Sequence, residues 1–77
     1  MEIKVMGPGC AKCNEVMQAV EEIIAESGVA ASVQKVSDFQ EMAKHGVFAT
    51  PSLVIDGQVK STGKVPRKDE IRGWMGV

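Results

Sequence analysis

The hydrophobic pattern changes its period at the tripeptide in positions 7–9, Gly-Pro-Gly, and this change limits the folds open to the chain. Before it, polar and apolar side chains alternate over residues 2–6, which predicts a short strand. After it, apolar side chains recur at helical spacing from Cys13 onward, which predicts an amphipathic helix that ends near Gly28. A strand that leads directly into a helix is the first half of a β-α-β unit.

The middle of the chain repeats the order of a strand followed by a helix, with shorter elements. Residues 32–36 form the centre of a predicted second strand. Residues 39–46 then predict a short helix, capped by Ser37 or Asp38. Its inward side chains are predicted to be Phe39, Met42 and Ala43.

The last third of the chain predicts a β-hairpin and a helix. Asp56-Gly57, between apolar residues 53–55 and residues 58–62, is a strong signal for a tight antiparallel turn. A final helix is predicted after Pro66, with Trp74 packed against the sheet. The fold class is therefore α/β, in the order β-α-β-α-β-β-α. A parallel first pair and an antiparallel hairpin give a mixed four-stranded sheet with helices on both faces.

Length and charge narrow the class of protein further. The 77 residues predict a single domain spanning 1–77. The net charge of −1, with acids and bases interspersed, does not suit a nucleic-acid binder. No apolar run is long enough to span a membrane, and no apolar secretory segment follows Met1, so the expected location is cytoplasmic.

Both cysteines of the chain, Cys10 and Cys13, stand just after the Gly-Pro-Gly tripeptide. Structural disulfides are rare in the cytosol, and a bridge between these two positions would contribute only about 2 kcal/mol. Their proximity therefore points to redox chemistry or to soft-metal binding. The helix start favours a thiolate at Cys10, which is the expected nucleophile. Cys13, one turn further in and facing the core, is the expected resolving thiol, and Lys12 either supports the thiolate or is simply solvated.

A second feature is the segment FATPSLVIDG, which places Pro51 at the first residue of the third predicted strand. Proline donates no hydrogen bond to a sheet and belongs at a strand start or an edge. Taken alone, Thr50-Pro51 would be an ordinary trans bond. Phe48, just before it, is predicted either to fill the core or to form the wall of a groove, with the core preferred.

Together, Cys-x-x-Cys at a strand–helix junction and Thr-Pro before a hairpin resemble the thioredoxin superfamily. The similarity is strongest to its small, glutaredoxin-sized redox-active disulfide proteins of archaea and bacteria, and it covers essentially the whole chain. It implies that the Thr50-Pro51 bond is cis and lies beside the cysteines. It also implies that the backbone of Thr50 pairs with an incoming substrate strand, with Gly63 near the same groove.

The resemblance implies a thiol–disulfide oxidoreductase that acts through a mixed disulfide. Its partners would be protein or small-molecule disulfides and an electron donor, which is a flavoprotein reductase, glutathione or another dithiol. No cofactor and no metal are expected. The chain departs from larger thioredoxins at Gly9, where a tryptophan is usual, and at Ala11-Lys12, where Gly-Pro is usual. These departures leave the donor and the redox potential open.

The main alternative is a soft-metal, copper-type carrier that uses the same two cysteines. Two thiolates suit Cu(I), and Met6 lies just upstream. Heavy-metal-associated domains, however, run β-α-β-β-α-β and end in a strand, whereas this sequence predicts a final helix. A tetrahedral zinc site is not predicted, because His45 is the only histidine. A binding module that keeps the fold without the chemistry is the third possibility.

Overall fold

The predicted order of helices and strands is confirmed. A computed structural model of the chain describes residues 1–9 and 11–77. Its elements are β1 (Glu2–Met6), α1 (Ala11–Ser27), β2 (Ser32–Val36), α2 (Phe39–Lys44), β3 (Ser52–Ile55), β4 (Gln58–Thr62) and α3 (Lys68–Met75). No helix among the described residues is long and apolar enough to cross a membrane.

The four strands form one mixed sheet in the order β2-β1-β3-β4. β1 runs parallel to β2 and antiparallel to β3, and β3 pairs antiparallel with β4. At one end of the sheet Met6 is opposite both Val36 and Ser52, and Ser52 is opposite Thr62. The segments that follow β1, β2 and β4 and the segment that precedes β3 therefore meet at this end.

Apolar side chains cover the sheet on both faces, as predicted. The larger cluster packs Ile3 and Val5 of β1 and alternate residues of β3 against α1 and α3. The smaller cluster lies on the opposite face, where Met6 and Val54 pack against Met42 of α2. Alternation along β1 and β3 sends successive side chains to opposite faces, which is why each strand contributes to both clusters.

Helix α1 is joined to α3 by charged groups at the surface. Lys68 Nζ and Arg72 Nη2 donate hydrogen bonds to Glu26 Oε1, at 3.1 and 3.0 Å. The hydrogen bond and positive charge of Lys68, followed by those of Arg72, hold the pKa of Glu26 below its usual range. Trp74 is partly buried against the larger cluster, as predicted for the last helix.

Of the three side chains of α2 predicted to face inward, Met42 is buried as predicted, but the predictions for Phe39 and Ala43 are wrong. Asp38 caps the helix, its Oδ1 accepting from Gln40 N at 2.9 Å, but Phe39 is 70% exposed and only Met42 is buried. The apolar positions beneath the helix are filled by Met42 and Val47 of the smaller cluster. Glu41 lies on the same side of the helix, with Oε1 3.7 Å from Lys4 Nζ on β1, whereas Phe39 faces outward. Ala43, also predicted to face inward, is exposed.

Candidate active site

Three chain segments meet at Gly7, at the end of β1. Gly7 is buried, and its N–H donates to the carbonyl of Val36 at 2.8 Å, which ties the loop after β1 to the end of β2. A Cβ added at Gly7 would overlap Cys13 Sγ and would lie 3.3 Å from Cys13 Cβ and 3.6 Å from Thr50 Cβ. The absence of a side chain at position 7 therefore allows α1 and the loop before β3 to meet.

The side chain of Cys13 is fully buried in the first turn of α1. It lies on the same face of the helix as Val16 and Val20, which belong to the larger core cluster. This position matches the expectation that Cys13 faces the core. Cys10, the expected nucleophile, lies outside the described residues. The helix itself begins at Ala11, the next residue in the sequence.

The peptide bond between Thr50 and Pro51 is cis, the isomer that the family resemblance implied. Pro51 is buried, and its carbonyl accepts a hydrogen bond from Gly63 N at 2.8 Å. Gly63 has φ +72°, and a Cβ there would lie 3.3 Å from Ala49 Cβ. A further hydrogen bond connects the start of β3 to the loop before it, because Ser52 Oγ donates to the carbonyl of Ala49 at 2.6 Å.

Four of the residues singled out from the sequence, all among the described ones, are thus brought together across the fold. Cys13 and Thr50 both lie against Gly7, and Pro51 and Gly63 are joined by the hydrogen bond just described. Lys12 is exposed in the first turn of α1. The arrangement places a buried thiol beside a cis-proline loop that reaches the surface at Ala49.

The preferred prediction for Phe48, that it fills the core, is wrong. Its side chain is 87% exposed, and the preceding residue, Val47, is buried instead in the smaller cluster. Val47 already fills the space between α2 and the sheet, so the next side chain is directed outward. Phe48 therefore stands on the surface two residues before Thr50.

Sequence reasoning missed Lys35, near the end of β2. Its Nζ donates to Asn14 Oδ1 at 3.3 Å, and a Cβ added at Gly9 would lie 3.2 Å from the same nitrogen. The signal that would have found it is the parallel register, which pairs Lys35 with Val5 near the end of β1. In a parallel pair, the carboxyl ends of both strands reach the same end of the sheet.

The soft-metal alternative depends on Cys13 together with Cys10, which lies outside the described residues. Among residues 1–9 and 11–77, no group of three or more His, Cys, Asp and Glu side chains is placed to hold a metal ion. His45 Nε2 instead lies 3.5 Å from Glu41 Oε1. The final element, α3, is a helix, so the order of elements is not that of the heavy-metal-associated domains.

Comparison with known proteins agrees with this geometry. Residues 1–76 match the family model described as a thioredoxin domain. The chain is 33% identical over 72 residues to a thioredoxin of Methanothermobacter thermautotrophicus, covering 94% of each chain. It is 37% identical over 70 residues to a thioredoxin of Methanocaldococcus jannaschii, covering 91% of this chain and 80% of the relative.

One protein family combines the three features described above. They are a mixed sheet covered on both faces, a buried cysteine at the start of the first helix and a cis-proline loop beside that cysteine. Disulfide-containing substrates and a reducing partner follow from that family in general. The chain belongs to the thioredoxin superfamily, among its small archaeal-type members, and is a thioredoxin-like thiol–disulfide oxidoreductase.

Proposed function

We propose that the protein reduces disulfides with the dithiol formed by Cys10 and Cys13. The proposal is supported by the position of Cys13. Its buried side chain lies against Gly7, beside the loop that contains the cis Thr50-Pro51 bond. A thiol in this position is shielded from solvent and is reached only by groups already held at the site. That is the property required of a resolving thiol rather than of the attacking one.

The exchange proceeds in two balanced steps. The thiolate of Cys10 attacks one sulfur of the substrate disulfide, whose S–S bond breaks and whose second sulfur leaves as a thiolate and takes up a proton. Cys13 then loses its proton and attacks the Cys10 sulfur of the mixed disulfide, whose bond to the substrate sulfur breaks, and that sulfur leaves as a thiolate and takes up a proton. The substrate departs as a dithiol with two electrons gained, and the protein keeps a Cys10–Cys13 disulfide.

Thr50, Pro51 and Gly63 form the proposed substrate groove. An extended segment that carries the disulfide pairs with the backbone at Thr50, in the loop just before β3. Gly63 donates its N–H to the carbonyl of Pro51, and because it has no side chain it leaves this wall of the groove open. Lys12, exposed one residue before Cys13, is a candidate to support the thiolate.

A donor must return two electrons to the oxidised protein after each cycle. A flavoprotein reductase, glutathione or a second dithiol protein each has the required chemistry, and protein or small-molecule disulfides are the proposed acceptors. We place this cycle in the cytoplasm, where such donors keep thiols reduced. The whole chain, 1–77, acts as one domain in this proposal.

Reduction of insulin, followed by turbidity, tests the proposal with each donor class supplied in turn. At least one donor should support turnover that stops when Cys10 and Cys13 are both replaced by serine. The double variant is the matched control, because it keeps the size of both side chains. A wild-type protein that cycles with none of the donors, and cannot be reduced by excess dithiothreitol, would overturn the proposed function.

The exposed ring of Phe48 is predicted to contact protein substrates. Phe48→Ala should lower kcat/KM for insulin about fivefold, which corresponds to roughly 1 kcal/mol of lost apolar contact. Reduction of a small aromatic disulfide, which is too short to reach the ring, should change less than twofold. The control is Phe39→Ala, which removes the other exposed phenylalanine, at the start of α2. Equal losses on both substrates would contradict a role in protein docking.

A further inference from the structure

Lys64 is an exposed lysine that stands at the edge of the proposed substrate groove. It follows Gly63, whose N–H donates to the carbonyl of Pro51 at 2.8 Å. Standard bond lengths then place the Cα of Lys64 within about 8 Å of the Pro51 carbonyl oxygen. From this distance a flexible four-carbon side chain can bring its ammonium group to a residue near the cysteine of a bound segment.

The charge of Lys64 is only weakly paired within the protein. Its Nζ lies 3.9 Å from Glu70 Oε2, beyond hydrogen-bonding distance, and its side chain is 62% exposed. Glu70 is also shared, because its other oxygen, Oε1, accepts from Arg67 N at 3.1 Å and lies 3.6 Å from Arg67 Nε. Exposed ion pairs of this kind contribute little free energy, so the ammonium group remains available to a second carboxylate.

Other charges make the end of the sheet that carries the groove locally positive. Lys12 is exposed in the first turn of α1, and the ammonium group of Lys35 reaches the loop between β1 and α1. Asp38, just after β2, uses a carboxylate oxygen to cap α2. Glu2 and Asp56 are joined by a backbone hydrogen bond at the opposite end of the sheet. A chain with a net charge of −1 thus presents a basic rim to a bound segment.

We propose that Lys64 is a specificity-determining residue that selects disulfide-bearing protein segments with an acidic side chain near the cysteine. In an extended segment, the residues two positions before and after the cysteine face the same side as the cysteine itself. One of these positions can therefore bring a carboxylate to Lys64. This inference rests on the proposed function, because it takes the groove at Thr50, Pro51 and Gly63 as the place where the segment binds.

The test is the rate at which the fully reduced full-length protein attacks a set of short synthetic peptides. Each peptide carries one cysteine as a mixed disulfide with 2-nitro-5-thiobenzoate. The peptides differ only in having glutamate, glutamine or lysine two positions before and after that cysteine. The thiolate of Cys10 attacks the peptide sulfur, the S–S bond breaks, and the coloured thiobenzoate leaves with the electron pair. The colour reports this first attack and requires no electron donor.

The wild type should react about threefold faster with the glutamate peptide than with the glutamine peptide, as one exposed ion pair allows. Lys64→Met should abolish this preference, and Lys64→Glu should reverse it in favour of the lysine peptide. The matched control is Lys44→Met, which removes an exposed lysine paired with Glu41 on α2 and should leave the preference unchanged. The preference should also shrink at 1 M salt, where the screening length falls to about 3 Å.

Comparing peptides separates docking from the reactivity of the thiol. The same Cys10 attacks every peptide, so a change in its reactivity alters all the rates together and cancels in their ratio. Glu70→Gln removes the charge that competes for Lys64 and keeps an oxygen to accept from Arg67 N. This variant should therefore increase the preference for the glutamate peptide above that of the wild type.

The inference is overturned if Lys64→Met keeps the wild-type preference, or if Lys12→Met abolishes it while Lys64→Met does not. Equal rates for all peptides with the wild type would also refute the role of Lys64, but would leave the disulfide exchange itself demonstrated. If no peptide released the coloured thiolate, the exchange would be refuted and the role of Lys64 with it. The two proposals therefore fail in distinguishable ways.

Discussion

Replacing Cys13 by serine should convert the protein into a trap for its substrate. The variant keeps Cys10, which attacks a disulfide, but it lacks the thiol that would release the bound partner. A covalent adduct of protein and partner should accumulate, visible by intact mass spectrometry and removed by excess dithiothreitol. Steady-state reduction of insulin should fall by a factor of at least about 10³, because only external thiols then resolve the intermediate.

The matched variant, Cys10→Ser, should form little or no adduct. The remaining thiol, at Cys13, is fully buried against Gly7 and the apolar face of α1, so a disulfide in solution cannot reach it. Stable adducts with Cys10→Ser and none with Cys13→Ser would reverse the two roles. If neither variant formed an adduct with any disulfide offered, the redox function itself would be contradicted.

Local patterns were sufficient to predict the order of elements, but not the cis bond. The change of period at residues 7–9 and the Asp56-Gly57 turn each depend only on neighbouring residues. Thr50-Pro51 is interpretable only together with the Cys-x-x-Cys motif, since a Thr-Pro pair alone favours the trans form. Because the family resemblance joins two distant segments, it predicts a contact that no local pattern contains.

The predictions that failed depend on contacts between segments. Periodicity placed Phe39 inward together with Met42, but only Met42 is buried, where it shares the smaller cluster with Val47. Phe48 was predicted to enter the core, but Val47 fills the space between α2 and the sheet, so the side chain of Phe48 is directed outward. The place of Lys35 over Gly9 follows from the parallel register of β1 and β2, which the sequence predicts only as a pairing and not as a set of side-chain contacts.

The second large effect is expected at Gly7, where alanine should destabilise the protein by about 2 kcal/mol. The new Cβ would overlap Cys13 Sγ, and that atom belongs to a short side chain fixed to α1 rather than to a flexible end. Either the helix or the loop after β1 must shift, which separates Cys13 from Thr50. Gly7 is not among the glycines with positive φ, so backbone strain adds nothing to this cost. Reversible urea unfolding under reducing conditions measures the change.

A glycine in open space provides the control for this prediction. Gly73 lies within α3, and a Cβ there meets nothing within 4 Å, so Gly73→Ala should stabilise the protein by about 0.5–1 kcal/mol through helix propensity. Adding Cys13→Ala to Gly7→Ala removes the overlapping sulfur and should recover more than about 1 kcal/mol relative to the sum of the single changes. Additive losses in that double-mutant cycle would contradict the steric account. If Gly7→Ala proved as stable as the wild type, the close approach of α1 to the cis-proline loop would itself be wrong, and with it the geometry on which the shielding of Cys13 depends.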